Sequence, residues 1–246
     1  LLLLLISCQK ENTTTLPENH KLTTAISRWH DSAFYSFFHY DDQNRLTSIV
    51  DSENTNHSKR FTSFIYDQDG KWIKSIYTSD NNTIVGEDSF FYQNDRMVLK
   101  KYTNSLVSNR NTYTYDSQGR LIGDTTYSYW SNDIAGYVVY TYDNNDDIIS
   151  WQEYFSENGI LKSDGVISAT YNSSINPFSN IGLPLYIFTQ DNSMISKHQR
   201  TAVTYYDGTT VNYTYEYNPD GSVKRIIETD MEYGIPDTST IEFLYD

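Results

Sequence analysis

The chain has 246 residues and a formal net charge of −14 at pH 7, from 18 Lys and Arg against 32 Asp and Glu. This balance argues against a nucleic-acid partner, because phosphate binding needs clustered Lys and Arg side chains. Aromatic residues make up 15% of the sequence, including 23 tyrosines. Because aromatic and β-branched residues fit pleated sheets, the composition predicts an all-β protein.

The amino terminus resembles the lipobox of bacterial lipoproteins. Leu1 to Ile6 form an apolar run that ends at Ser7 and Cys8, too short for a bilayer span of about 20 residues. In a lipobox the cysteine is lipidated, which makes Cys8 the predicted lipid attachment site. Cys8 is the only cysteine, so no disulfide within the chain competes for it. The alternative is a buried leucine strand with an ordinary cysteine.

These features predict three segments. We expect residues 1–8 to be the end of a signal peptide and residues 9–23, which lack apolar periodicity, to be a flexible tether. Residues 24–246 form a single β-repeat domain. The predicted partner is a membrane, to which the lipid anchor attaches the protein. The expected location is the Gram-negative cell envelope, as an outer-membrane lipoprotein at the periplasmic face or the cell surface.

A repeated motif dominates the rest of the chain. Its clearest copy, residues 113–121, reads Tyr-Thr-Tyr-Asp-Ser-Gln-Gly-Arg-Leu. Tyr113 and Tyr115 fall on one face of an extended strand, Asp116 can bond the turn backbone, and Gly119 supplies a positive φ. Gly221 takes the same place in another copy. Each copy is therefore predicted to be a β-hairpin tip.

The spacing of the motif predicts the architecture. Its second aromatic residue recurs about every 26 residues, at Tyr40, Tyr66, Tyr92, Tyr115, Tyr142, Tyr171, Tyr217 and Tyr245. Eight tips imply an antiparallel up-and-down meander of roughly 14–16 strands, which curls into a barrel or half-open barrel. The one wide gap contains an insertion, residues 176–184, and a hidden tip at Tyr205 to Gly208. The paired aromatics should form a ladder at one rim.

A membrane-spanning barrel is not expected. Spanning strands alternate lipid-facing apolar residues with polar ones over about 10 residues. Residues 120–127 read Arg-Leu-Ile-Gly-Asp-Thr-Thr-Tyr, so neither face is a continuous apolar band. The predicted barrel is therefore water-soluble.

The whole pattern resembles a Bacteroidetes lipoprotein family of unknown function with a porin-like β fold. Tyr-Asp hairpin repeats stand behind a lipobox, and residues 176–185 begin with Asn-Pro-Phe. Similar Tyr-Asp repeats build the β shells of Rhs-type and teneurin-type proteins. The resemblance implies a porin-like fold and brings no catalytic residues.

Catalytic motifs are missing from the sequence. The five histidines have no zinc-ligand spacing, and no Gly-x-Ser-x-Gly or phosphate loop occurs. We therefore expect no enzymatic activity and no cofactor. The Asp67 and Asp69 turn resembles the start of a calcium loop, although hairpin-turn chemistry explains it equally well.

Two aromatic clusters are the candidate ligand-binding residues, Tyr129 with Trp130 and Trp151 with Tyr154. Such rings can stack on sugar faces, or they can fill the barrel interior. We predict an envelope lipoprotein that acts as a binding or scaffold module for a glycan, a peptide or another envelope protein. The alternative is a glycan-acting hydrolase with its site in the barrel mouth.

Overall fold

The computed structural model describes residues 21–54, 58–128, 132–176, 195–232 and 235–246. All strands in these ranges join one antiparallel sheet. No helix in this part of the chain is long and apolar enough to cross a membrane. The strands are β1 (Leu22–Trp29), β2 (Ser32–Tyr40), β3 (Leu46–Glu53), β4 (Lys59–Tyr66), β5 (Trp72–Ser79), β6 (Ile84–Gln93), β7 (Arg96–Thr103), β8 (Ser108–Tyr115), β9 (Leu121–Tyr127), β10 (Ile134–Tyr142), β11 (Ile148–Glu157), β12 (Ile160–Lys162), β13 (Val166–Ile175), β14 (His198–Thr204), β15 (Thr210–Tyr217), β16 (Val223–Glu232) and β17 (Ile235–Tyr245).

The sheet closes on itself. β1 pairs with β2 and also with β17, so that Ala25 lies opposite both Ser36 and Phe243. β12 is a three-residue extension that pairs only with the end of β11, and β11 also pairs directly with β13. The described chain is therefore a closed barrel of sixteen strands with one short extra strand, which confirms the predicted meander. β1 begins at Leu22, so residues 22 and 23 of the expected tether are part of the barrel.

The two ends of the barrel differ in their turns. One end carries the motif turns 41–45, 67–71, 116–120, 143–147 and 218–222, together with the start of β1 and the end of β17. We call it the Tyr-Asp rim. The other end carries turns 30–31, 80–83, 104–107, 158–165 and 205–209, and we call it the opposite rim.

The motif turn is held by its aspartate. Asp116 Oδ1 accepts hydrogen bonds of 2.9 Å from the backbone N–H groups of Gln118 and Arg120, while Oδ2 accepts one of 2.7 Å from Arg120 Nε. Gly119 has φ +92° and Gly221 +87°, as predicted. The register shifts by one residue where Tyr115 lies opposite Leu121. This bulge recurs at the other motif turns.

The motif tyrosine forms a hydrogen bond between two neighbouring strands at the Tyr-Asp rim. Tyr115 Oη donates to the backbone carbonyl of Met97 at 2.7 Å. Across the described residues, eight such bonds of 2.7–3.0 Å recur, from Tyr40, Tyr66, Tyr92, Tyr115, Tyr142, Tyr171, Tyr215 and Tyr245. Each bond joins two strands whose connection lies at the opposite rim, and therefore secures the open end of that pair.

One repeat departs from this pattern of tyrosine-to-carbonyl hydrogen bonds. In β15 the donor is Tyr215, whose bond goes to the carbonyl of Arg200, and not Tyr217. Tyr217 is 45% exposed, and its hydroxyl group donates to the side-chain amide oxygen Oε1 of Gln199 at 2.5 Å. The reason lies in β14, which follows the insertion and pairs with β15 over only three residue pairs, Ala202 to Thr204. The buried side chain of Gln199 therefore accepts the hydrogen bond of Tyr217, whereas in the other repeats the acceptor is a backbone carbonyl group.

The aromatic ladder lies on the inner face near the Tyr-Asp rim. Tyr113 and Tyr140 are only 5% and 6% exposed and belong to the main core cluster. Cations lie over several motif rings, with Arg45 at 4.9 Å from the Tyr66 centroid and Arg120 at 4.8 Å from that of Tyr142. The arginine of one repeat thus packs on the tyrosine of the next. A buried ladder of this kind stabilises the fold.

The hidden tip is also a hairpin turn. Gly208 has φ +88°, and Asp207 Oδ1 accepts from the Thr209 N–H at 2.9 Å. This turn joins β14 to β15 at the opposite rim. β13 ends and β14 begins at the Tyr-Asp rim, where Asn176 bonds Ser196 and Lys197. Residues 177–194 lie outside the described ranges.

The outer wall carries ion pairs between strands, beside exposed apolar side chains such as Phe91 and Val139. Lys74 bonds Glu87 at 3.0 Å between β5 and β6. Arg225 bonds Glu216 at 3.1 Å and Glu242 at 2.8 Å. Since residues alternate between the two faces of each strand, the core clusters occupy the inner face and these ion pairs the outer one.

Candidate functional site

A cavity of about 310 Å³ opens inside the barrel, between the core and the opposite rim. Strands β8 to β11 and β13 form its wall. The residues that line it alternate with outward residues, in register with the inward-facing Tyr113 and Tyr140. The lining residues that carry the argument are Asn111, Asp124, Thr126, Tyr140, Trp151 and Glu153.

One wall of the cavity is a polar network. Asn111 Nδ2 donates to Asp124 Oδ1 at 2.9 Å and to Thr126 Oγ1 at 2.8 Å. Thr126 lies directly opposite Asn111 on the neighbouring strand, and Asp124 lies opposite Tyr113. Asn111 and Asp124 are 5% and 8% exposed. The network therefore holds these polar groups in fixed positions at the edge of an apolar core.

The adjacent wall is aromatic. Tyr140 and Trp151 lie directly opposite each other on β10 and β11, and both are buried. Trp151 Nε1 donates to Glu153 Oε1 at 3.2 Å. The indole thus orients a carboxylate on the same face of β11, and the cavity has rings beside hydrogen-bonding groups.

The mouth of the cavity is bordered by Tyr206 from the β14–β15 turn. Gly165 has φ +134°, and a Cβ atom there would lie 2.8 Å from the Cβ of Tyr206. Only glycine allows both this backbone conformation and this close approach. Tyr206 is 55% exposed, so its ring lies between the cavity and solvent.

The cavity favours ligands without negative charge. Its described lining includes Asp124, Glu153 and Asp164 but no Lys or Arg. Burial, and next the negative charges of Asp124 and Asp88, raise the pKa of Tyr113 above its usual range. Tyr113 therefore stays neutral, and an anionic ligand would meet carboxylates without a compensating cation.

The predicted ligand-binding residues separate in the structure. Trp151 lines the cavity. Tyr154 borders it, but as the third residue after Trp151 its ring projects from the other face of β11, where it stacks on Tyr137 at 4.3 Å. Tyr129 and Trp130 lie outside the described residues, as does Cys8. Trp151 and Tyr154 thus do not form one aromatic strip.

The predicted calcium residues form a motif turn. Asp67 Oδ1 accepts from the N–H groups of Asp69 at 3.0 Å and Lys71 at 2.8 Å, as Asp116 does in its own turn. Within the described ranges, no group of three His, Cys, Asp or Glu side chains is placed to hold a metal. Hairpin-turn chemistry accounts for both aspartates.

Sequence reasoning missed Asn111, Asp124 and Tyr206. Asn111 and Asp124 are isolated polar residues without a motif around them, whereas Tyr206 belongs to the hidden tip at Tyr205 to Gly208, which predicted a turn and not a binding residue. The only available signal was the period-two spacing of Asn111 from Tyr113, which places both on the inner face of β8. The contact of Asn111 with Asp124 depends on the β8–β9 register.

Comparison with known structures identifies the fold. A porin-like protein from Bacteroides uniformis superposes with a TM-score of 0.62 at 11% sequence identity, covering 92% of this chain and 98% of that chain. A porin-like protein from Bacteroides vulgatus gives 0.56 at 11% identity with the same coverages, 92% and 98%. No protein-family model and no curated protein matches the sequence. The chain is therefore similar in fold to porin-like closed barrels.

Proposed function

We propose that this protein is a binding module of the Gram-negative cell envelope, anchored through a lipid on Cys8, which takes a neutral or cationic sugar unit into its lumen. The observation that carries the proposal is the cavity in which Tyr140 and Trp151 adjoin the Asn111–Asp124 pair. Fixed rings and a few convergent polar groups are what small-ligand sites require.

Sugar chemistry fits this arrangement. A sugar ring has an apolar face that stacks on aromatic rings and hydroxyl groups that bond amides and carboxylates. Ligand pockets usually measure about 300–1,000 Å³, so a cavity of about 310 Å³ is small and suits a single ring. The carboxylates Glu153 and Asp164 disfavour acidic sugars and favour amino sugars.

The anchor and the cavity would face opposite ways. β1 begins at the Tyr-Asp rim, so a lipid on Cys8 would bring that rim toward the membrane. An extended tether of residues 9–21 could span about 45 Å at most. The cavity mouth at the opposite rim would then face away from the anchoring membrane. The ion pairs on the outer wall suit a barrel surrounded by water, because lipid-facing charges are costly.

Calorimetric titration of the full chain tests the proposal. The probes are glucose, glucosamine and glucuronic acid, and short neutral oligosaccharides built from glucose. We expect neutral or amino sugars to bind and glucuronic acid not to bind. Asn111→Leu and Glu153→Gln should each weaken binding about tenfold, which corresponds to about 1.4 kcal/mol. Tyr35→Phe, on β2 outside the cavity lining, is the control and should bind as wild type.

Selective binding of glucuronic acid would contradict the proposed site, as would unchanged affinity in both lumen variants. Circular dichroism and thermal melts of each variant separate lost binding from lost folding. A variant that melts as wild type and still loses binding identifies a contact with the ligand.

A hydrolase is the second candidate, because two carboxylates flank one residue of the cavity wall. Asp124 and Glu153 both lie opposite Val138, from β9 and β11, so their backbones are about 10 Å apart by strand spacing. Carboxyl groups about 6.5–9.5 Å apart can support inverting hydrolysis. Both groups already accept side-chain hydrogen bonds, which favours binding over catalysis. Release of reducing sugar by wild type, abolished in Glu153→Gln, would establish the enzyme.

A further inference from the structure

Large apolar side chains are exposed around the opposite rim. We define the apolar collar by six of them, Trp29, Phe34, Ile84, Leu106, Ile160 and Met231. Leu106 is 78% exposed, Ile160 64% and Ile84 62%. Leu106 lies in the β7–β8 connection, and the other five lie near strand ends beside the β1–β2, β5–β6, β11–β12 and β16–β17 connections. They therefore surround the barrel mouth on most of its circumference.

The described turns of the Tyr-Asp rim contain no large apolar side chain, although Ile65 and Leu244 are exposed on strands near it. Its turns consist mainly of Asp, Asn and Gly with a Lys or Arg, and these bond one another, as Asp41 does with Arg45 at 2.7 Å. Tight turns need polar residues and glycine for their backbone geometry. Leu106, in contrast, lies in a four-residue turn shaped by Asn104, which accepts from the N–H groups of Leu106 and Val107. Its side chain has no role in the turn, and clustered exposed apolar groups mark interaction surfaces.

The collar is mainly aliphatic, which points to a polypeptide. Sugars stack on aromatic faces, but Ile84, Leu106 and Ile160 are branched aliphatic side chains. Such side chains pack against other apolar side chains in the cores of protein interfaces.

The charges near the collar select a basic occupant. Exposed acids at this rim include Asp31, Asp80, Asp133, Glu157, Asp164 and Asp207, and they outnumber the exposed bases Arg28, Lys59, Arg60 and Lys162. An anionic lipid surface would be repelled by this excess of acids. A second copy of the chain would bring the same negative charge against itself.

We propose that the apolar collar docks a polypeptide segment that carries both apolar and basic side chains. The segment seats its apolar residues on Leu106, Ile84 and Trp29, and its basic residues meet the surrounding carboxylates. The Trp29 indole donates to Asp237 Oδ2 at 3.1 Å, so one collar ring is held in place before binding. This surface surrounds the mouth of the lumenal cavity and shares Asp164 with its lining, but docking on it does not depend on the cavity's ligand.

Full-length chain with Cys8→Ser is titrated with three synthetic peptides, followed by fluorescence anisotropy of a label on the peptide. One peptide alternates leucine and lysine, the second leucine and glutamate, and the third serine and lysine. We expect only the leucine-lysine peptide to bind. The double variant Ile84→Ser with Leu106→Ser should weaken that binding at least tenfold. The control, Ile65→Ser with Leu244→Ser, alters exposed apolar residues near the Tyr-Asp rim and should bind as wild type.

Four results would overturn the proposal. Equal binding by the collar variant and the control would show that the collar is not the contact. Equal binding of the leucine-glutamate peptide would remove the charge selection. Collar-dependent sedimentation with phosphatidylglycerol vesicles would assign the surface to a membrane. Collar-dependent dimers in analytical ultracentrifugation would assign it to a second copy.

Discussion

The hydroxyl group of Tyr115 donates a 2.7 Å hydrogen bond to the carbonyl oxygen of Met97, at the end of the β7–β8 pair farthest from its connecting turn. A strand pair is weakest at its open end, and this bond secures it there. The same bond recurs in the seven other described pairs whose connection lies at the opposite rim. The repeat thus builds a hydrogen-bonded frame at the Tyr-Asp rim, whereas both proposed binding surfaces lie at the opposite rim.

Tyr115→Phe removes one bond of this frame without changing ring volume. We expect the free energy of unfolding to fall by about 1–3 kcal/mol, because the backbone carbonyl group of Met97 loses its hydrogen-bond donor. Urea denaturation followed by circular dichroism measures the change. Tyr154→Phe on the outer wall should stay within about 0.5 kcal/mol of wild type. Equal effects of the two substitutions would contradict the structural role of the bond.

Gly119→Ala should lose about 1 kcal/mol or more of stability, because φ is +92° there and alanine is strained at positive φ. A Cβ atom at this position would also lie 2.8 Å from Arg96 Nη2, which lies over the Tyr115 ring. Gly208→Ala is the matched control, with φ +88° and no atom within 4 Å of the new Cβ. It isolates the backbone cost and should be less harmful. Thermal melts that leave Gly119→Ala at the wild-type midpoint would refute the turn assignment.

Stability should fall steeply at alkaline pH. Burial, and next the negative charge of Asp246, raise the pKa of Tyr40 to about 12. Burial and Asp220 raise the pKa of Tyr245 to about 12 as well. A raised folded-state pKa gives stability that is complete below the unfolded value of about 10 and is lost as the pH rises through the folded value.

The measurement for this alkaline transition is tyrosinate absorbance followed together with circular dichroism. We expect ionisation of the buried tyrosines and loss of the β signal to coincide between about pH 10 and 12. Ionisation of all tyrosines near pH 10 with the fold intact would mean that these hydroxyl groups are not bonded in the core.

At acid pH the motif aspartates should control stability. The backbone N–H of Arg45 and then its side chain hold the pKa of Asp41 below its usual range, against the opposing effect of burial. A lowered folded-state pKa gives stability that is present above the unfolded value, about 3.9, and is lost as the pH falls through the folded value. Asp41→Asn should therefore flatten the stability profile below about pH 4. Asp42→Asn, at the next residue, is the control and should follow wild type in urea melts across that range.

The sequence predicted the parts of this molecule that depend on local chemistry. The turn at Asp116 and Gly119 needs only residues within five positions of one another, so its motif is visible in the chain. The strand number followed from the regular spacing of Tyr40, Tyr66 and Tyr92. Tyr217 precedes the turn at 218–222 that the motif predicted, but the bond to the neighbouring strand's carbonyl comes from Tyr215, because the donor depends on how β14 resumes after the insertion.

The candidate site could not be predicted in this way. Asn111 and Asp124 are brought together by the register of β8 and β9, and Trp151 joins them only through β10. Trp151 and Tyr154 lie on opposite faces of β11 because no bulge separates them. The sequence does not show where a bulge occurs. These contacts depend on the register of the strand pairs, which a single sequence does not specify.

Closure of the barrel is the central claim of this account, because the lumen exists only if β1 pairs with β17. Arg28 lies opposite Thr240 across that seam, so Arg28→Cys with Thr240→Cys should form an intramolecular disulfide in a Cys8→Ser background. The offset pair Arg28→Cys with Glu242→Cys should stay reduced under the same oxidant, since cysteines with Cα atoms more than about 7 Å apart do not bridge. Mass spectrometry of peptides after proteolysis identifies the cross-link. An efficient disulfide in the directly opposed pair alone is the predicted result. Free thiols in that pair, or cross-links only between molecules, would contradict the closed barrel.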